Sequence, residues 1–242
     1  MDWAAIVTAA KRANAAYIEN DDASAAAFAA LGDTWIGQFQ DRSHQAVLST
    51  DATGAVHLSI SGTRASQGAL EDILADVSLR PLAVKGGSVT TGVYDGMQNV
   101  WDWALGKVPH GTAFNVAGHS LGASRTHLTP LFVPAAQIGA LHSFAAPKFL
   151  AADYYRTYSA ELAAMVCVVN GEDGWCSWPW VDPRWQARPL AQHIWLQSDA
   201  GAFTVIEGSQ WPGGWKFSDH DIDHYESRLE KIASMASHSV TS

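Results

Sequence analysis

The sequence predicts an α/β domain with a mainly parallel central sheet and helices on both faces. Two patterns lead there. From about residue 112 onward, short apolar runs alternate with segments of helical period, the succession of a parallel sheet with crossover helices. The run 112–117 is apolar without the in-and-out alternation of a strand wetted on one face, so it belongs to a strand buried on both. The 242 residues are 48% hydrophobic and 16% charged, enough apolar material to treat 1–242 as one domain.

The elements follow in order. Asp2 can cap a first helix, in which Trp3, Ile6, Ala10, Ala13 and Tyr17 recur at helical spacing. An alanine-rich helix at 23–31 comes next. Three strand-like runs, 34–39, 44–50 and 55–61, are separated by short Asp-, Gly- or Ser-containing turns and read as antiparallel neighbours. After Gly62 the pattern turns helical through Val77, with Leu70, Ile73, Leu74 and Val77 on one face. The segment 64–80 is a candidate lid, because that apolar edge could cover an acyl pocket; packing on the core is the equal alternative. A Gly-rich crossing at Gly86-Gly87 leads to a helix at 94–105. The strand 112–117, a helix at 121–131, a strand at 137–144 and a helix at 151–163 follow, then a strand at 165–169. A long Trp- and Pro-rich loop, a hairpin of 193–197 with 203–207, and a helix at 221–235 complete the chain.

Several function classes are disfavoured. The net charge is −9 and no Lys/Arg cluster occurs, which argues against nucleic acid or an anionic membrane as a main partner. No stretch approaches the ~20 apolar residues of a membrane span. The N-terminus lacks a basic region followed by an apolar run, so the expectation is a chain made without a cleavable leader and cytoplasmic by default. The two cysteines, Cys167 and Cys176, form no zinc pattern and read as ordinary thiols, a local disulfide being the alternative.

One motif carries chemistry. Gly118-His119-Ser120-Leu121-Gly122 lies where the buried strand meets a helix, the setting of a nucleophile elbow. The turn strains the serine backbone, so residues two positions away must be small, and Gly118 and Gly122 are. It also puts the Leu121 N–H at a helix N-terminus, where it can stabilise an oxyanion. A second donor must come from an earlier loop, and the Gly62-Thr63 turn after a strand offers the Thr63 N–H, with its hydroxyl fixing the turn.

In chain order an acid and then a histidine should follow. Asp173 stands in the loop after the strand 165–169, with Glu172 adjacent and Asp153 and Asp182 as lesser rivals. Of the four later histidines, His193 sits in a strand-like run and His238 in the tail. His220, just ahead of the last helix, is favoured over His224, one turn into it. The same two histidines, spaced i, i+4 among Asp219, Asp221 and Asp223, have a rival reading as a metal site or a solvated helix start. Seven of the eleven Trp lie between Trp175 and Trp215 and either pack these loops or line an acyl pocket.

Taken together, the motifs resemble the class 3 lipase family, the fungal-lipase-like branch of α/β-hydrolases. The likeness runs over roughly residues 55–228: Ile60-Ser61-Gly62-Thr63, Gly87–Gly92 with Val93-Tyr94, Val116 through Gly122, Phe144 through Lys148, Val169 through Asp173, and His220 through Tyr225. The resemblance implies an α/β-hydrolase fold, a triad of Ser120, Asp173 and His220, and oxyanion donors at Thr63 and Leu121. It implies a small-molecule ester or lipid substrate and no metal or organic cofactor. The chain departs from the family where Ser61 replaces an Arg, Thr90-Thr91 a His, and Ala123-Ser124-Arg125 a Gly-Ala-Leu run. The expected activity is carboxylic-ester hydrolysis through an acyl-enzyme. Hydrolysis of another acyl bond (thioester, amide or polyester), or binding without catalysis on the same fold, stays open, as does the oligomeric state.

Overall fold

The computed structural model describes residues 1–63, 77–197, 201–207 and 214–239. The chain opens with helix α1 (Trp3–Ala15), whose N-cap Asp2 accepts the Ala5 N–H at 3.0 Å, and α2 (Asp21–Ala30), capped likewise by Asn20. Strands β1 (Thr34–Gln40), β2 (Gln45–Thr50) and β3 (Val56–Ile60) form an antiparallel meander. A hairpin of β4 (Pro81–Val84) and β5 (Gly87–Thr90) precedes the short α3 (Thr91–Tyr94) and α4 (Met97–Gly106). Then come β6 (Phe114–His119), α5 (Leu121–Thr126), α6 (Thr129–Phe132), β7 (Ile138–Phe144), α7 (Ala152–Thr157), α8 (Ser159–Leu162) and β8 (Val166–Asn170). Strands β9 (Gln192–Leu196) and β10 (Phe203–Ile206) and the long α9 (Ile222–Ser239) finish it.

The main sheet has eight strands in the order β1-β2-β3-β6-β7-β8-β9-β10. From β3 to β9 every neighbour is parallel; the antiparallel pairs are at the two edges. A core lies on each face, and the period-2 geometry of β6 serves both. Val116 joins Leu58, Trp101, Phe114 and Tyr154 on one side, while Ala117 joins Ile6, Phe144, Tyr225 and Leu229 on the other. Helices α1 and α9 pack together over the second face. The α/β class with a mainly parallel sheet is thus as the sequence predicts.

Four elements differ from the expectation. The helix expected at 121–131 is two, because Pro130 lacks an N–H to continue the ladder and instead occupies the first turn of α6. The helix expected at 151–163 is divided at Tyr158, whose φ of −102° and ψ of 26° leave the helical region. The Gly-rich crossing is a hairpin. Its Gly87, at φ 159°, lies so close to the Tyr154 backbone that a Cβ would overlap it. The helix expected at 94–105 begins three residues late, at Met97, after Gly96 turns left-handed at φ 78° against the His44 ring. Residues 64–76 of the candidate lid lie outside the described residues, and 77–80 are irregular and lead into β4.

Candidate active site

The elbow is built by sterics. β6 ends at His119 and α5 begins at Leu121, so Ser120 alone makes the turn, with φ 58° and ψ −127°. A non-glycine residue at such a φ is strained and persists only where its surroundings hold it. Here its N–H donates to the Phe144 carbonyl at 2.9 Å, and its own carbonyl accepts the Ala123 and Ser124 N–H groups. A Cβ on Gly118 would overlap the Gly122 carbonyl, and one on Gly122 would overlap the Ile60 carbonyl of neighbouring β3. Leu121, the first helical residue, has no intrahelical acceptor for its N–H.

Ser120 donates to His220 Nε2 at 2.8 Å. His220 Nδ1–H in turn donates to Asp173, 2.9 Å from Oδ2 and 3.1 Å from Oδ1. All three side chains are buried, at 1–2% exposure. The carboxylate fixes the tautomer: Asp173 can only accept, so the proton sits on Nδ1 and Nε2 faces the serine as an acceptor.

Asp173 takes further bonds from the Tyr225 hydroxyl at 2.7 Å, the Cys176 thiol at 3.2 Å and the Trp175 N–H at 3.0 Å. Burial by itself would raise its pKa, but His220 and these donors hold the carboxyl below its ordinary value. Neither Tyr225 nor Cys176 had this role in the sequence reading, and both cysteines are free thiols.

The residue before the serine links the site's parts. His119 Nε2–H donates to the His220 carbonyl at 2.8 Å, so its Nδ1 accepts, and the Tyr17 hydroxyl donates to it at 2.8 Å. The Tyr17 hydroxyl also lies against Gly62, immediately before Thr63, where a Cβ would overlap it. Tyr17, two residues past α1, therefore joins the elbow and the base loop through His119 and packs against the Gly62-Thr63 turn. Burial, reinforced by the charge of His220, pushes the His119 pKa down to about 3 and keeps the ring neutral. The sequence held no signal for this, since Tyr17, His119 and His220 are about a hundred residues apart in succession.

The Thr63 hydroxyl does not fix its turn as expected. Its oxygen is buried with no hydrogen-bond partner. Thr63 and Leu121 together line a cleft of about 600 Å³.

The rival residues are elsewhere. Glu172 is exposed, and its backbone rather than its carboxylate is engaged, its N–H with Asp219 and its carbonyl with Lys216. His224 is bonded to the Ser218 carbonyl, so it and His220 do not face a common point, and no set of three metal-ligating side chains occurs among the described residues. His193 is bonded to the Pro189 carbonyl, Asp153 accepts the Ser88 and Tyr154 N–H groups, and Asp182 pairs with Arg184.

The acid and base loops are stitched to each other. Asn170 donates to the Asp219 carbonyl at 2.8 Å, Lys216 pairs with Asp219 at 2.8 Å, and Gly171, at φ 51°, leaves no room for a Cβ beside the Asp219 carboxylate. Trp175, Trp178, Trp180, Trp215 and Phe217 pack edge-to-face or tilted in succession over these loops, with ring centroids 4.7–6.5 Å apart. Trp175 is buried by this packing, whereas Trp215 is 66% exposed; Trp211 lies outside the described residues.

The sequence matches no protein-family model and no curated protein. The fold does have counterparts. A mutant form of MDLA from Penicillium cyclopium superposes with a TM-score of 0.72 at 17% identity, covering 95% of this chain and 97% of that one. A triacylglycerol lipase from Penicillium expansum gives 0.65 at 16%, covering 85% of each chain. A triacylglycerol lipase whose catalytic centre is a serine-protease triad gives 0.67 at 16%, covering 90% of this chain and 92% of that one. The chain therefore has the α/β-hydrolase fold of the fungal class 3 lipases, the fold its motifs resemble.

Proposed function

We propose that this protein is a serine carboxylic-ester hydrolase, lipase-like in fold, in which Ser120 is the nucleophile, His220 the base and Asp173 the acid. The observation that carries this is the line of hydrogen bonds from the Ser120 hydroxyl at 2.8 Å to His220 and at 2.9 Å on to a buried carboxylate, beginning at a strained elbow. A serine without a function gains nothing from φ 58°.

In this reading His220 Nε2 takes the Ser120 proton as the oxygen attacks the ester carbonyl. The oxyanion that forms meets the N–H groups of Thr63 and Leu121, and the partnerless Thr63 hydroxyl is a third available donor. The imidazolium returns its proton to the leaving alcohol. Water then enters, gives its proton to His220 and its oxygen to the acyl carbon, and frees Ser120. Asp173 holds the imidazole in place and stabilises its charged form. No step requires a metal or organic cofactor. Similarity to triacylglycerol lipases supports a lipid-like ester as the substrate.

The test is hydrolysis of p-nitrophenyl esters of increasing acyl length by the wild type and by Ser120→Ala. The expected loss in kcat is on the order of 10⁶-fold with the fold intact, and the chain-length optimum separates esterase from lipase. A Ser120→Ala protein with full activity, or a wild type that turns over no ester, would sink the reading.

A further inference from the structure

Where the resembled family carries the Leu of a Gly-Ala-Leu run after the elbow, this chain carries Arg125. It lies one helical turn beyond Leu121 on α5, on the same side of the helix. Only 3% of it is exposed, and neither Nε nor Nη1 has a hydrogen-bond partner. Burial pushes its pKa down to about 10, so it stays a cation at neutral pH. The main opposing charge is Asp41, whose carboxylate is already engaged by the Ser43 and His44 N–H groups and the His44 ring. A buried guanidinium with unfilled donors is costly unless something pairs with it.

The place where it lies says what that is. Arg125 lines the same cleft of about 600 Å³ as Thr63 and Leu121, the two amides assigned to the oxyanion. Arg42 and His44 border it, together with the acids Glu19 and Asp95. A neutral hydroxyl would fill a donor without compensating the charge. A dianion would overcompensate one buried cation beside two acids. A carboxylate matches both the single charge and the planar fork of the guanidinium.

We propose that Arg125 sets the specificity of this site by receiving a carboxylate of the substrate, so that the preferred ester carries a free carboxylate near its scissile carbonyl. This rests on Ser120 being the nucleophile. The carboxylate can belong to the acyl part, as in a half-ester of a dicarboxylic acid, or to the alcohol part, as in an ester of a hydroxy acid. Hydrolysis leaves it unchanged.

The experiment compares monomethyl adipate (acid on the acyl side) and butyryl glycolate (acid on the alcohol side) with neutral ethyl butyrate, in the wild type, Arg125→Met and Arg125→Lys. One charged ester should be preferred by the wild type, identifying the side. Its kcat/KM relative to ethyl butyrate should fall about 10- to 100-fold in Arg125→Met, mainly through KM, and by less in Arg125→Lys. Arg125→Met should fold, since it removes an unpaired buried charge. Free butyrate, a monocarboxylate, should raise the Tm of the wild type and of Ser120→Ala, and leave Arg125→Met unmoved. Equal charged-to-neutral ratios in wild type and Arg125→Met would overturn the proposal. So would Ser120-dependent turnover of ethyl butyrate with no stabilisation by butyrate. Stabilisation by butyrate without any ester turnover would keep Arg125 as a carboxylate site and remove the nucleophile reading instead.

Discussion

The nucleophile and its two partners are held in place by different physics. Ser120 stands between regular elements, and its position follows from backbone sterics: β6, α5 and the two glycines leave one path for the chain. Asp173 and His220 stand on loops, and their positions follow from side-chain hydrogen bonds and packed rings, with Asn170 to Asp219, Tyr225 to Asp173, and Trp175 against Phe217. A site fixed by excluded volume should fail when an atom is added. One fixed by hydrogen bonds should fail when an atom is removed, and by graded amounts.

The largest effect should come from adding one methyl group to the elbow. Gly122→Ala sets a Cβ into the Ile60 carbonyl, backbone that cannot swing aside, and should cost more than about 3 kcal/mol. Loss of soluble, cooperatively melting protein is the expected result; a variant that melts with the wild type would show the elbow to be looser than its packing implies.

On the loop side, Asp173→Asn should keep the fold and lower kcat by about 10⁴-fold, because an amide can stabilise the wrong tautomer of His220. A decrease of less than tenfold would place the acid elsewhere, and Glu172 would be the next residue to replace.

Tyr225→Phe removes one donor to that carboxylate and leaves the ring packed. It should cost about 1.5–3 kcal/mol in urea unfolding, as for other hydrogen bonds to charged groups. An unchanged midpoint would mean that Cys176 and Trp175 satisfy Asp173 without it.

Acid should weaken the two sides in separate windows. The folded-state pKa values of His119 and His127 are pushed from 6.5 down to about 3, and that of His142 to about 4, burial being the first cause in each. Between those values and 6.5 the unfolded chain binds protons that the folded one does not, so stability falls as pH drops below 6.5. Asp173 is also depressed, from 3.8, so its contribution persists until pH falls below that value. Each histidine contributes at most about 1.4 kcal/mol per pH unit, and His127→Gln should flatten the slope of unfolding free energy between pH 6 and 4 by up to that amount. A variant with the wild-type slope would show that His127 titrates normally in the folded protein.

The same contrast explains what was legible. Ser120 could be read because an elbow is a local requirement, expressed within five consecutive residues. Asp173 and His220 could be ranked because chain order and loop position exclude most rivals. The Tyr17–His119–His220 chain, the Tyr225 and Cys176 bonds to Asp173, and the unpaired state of Arg125 could not be read, since each depends on which distant residues meet. Helix boundaries failed where a local breaker was overlooked, as at Pro130, or where a tertiary approach set the backbone, as at Gly96 against His44.

The sequence by itself determined the α/β class, the elbow and the candidate triad, because apolar period, glycine placement and motif order are properties of neighbouring residues. The tertiary structure alone decided the burial and tautomer of His220, the partners of Asp173, and the burial of Arg125 at the wall of the cleft. Those depend on distances between residues far apart in the chain, which only packing fixes.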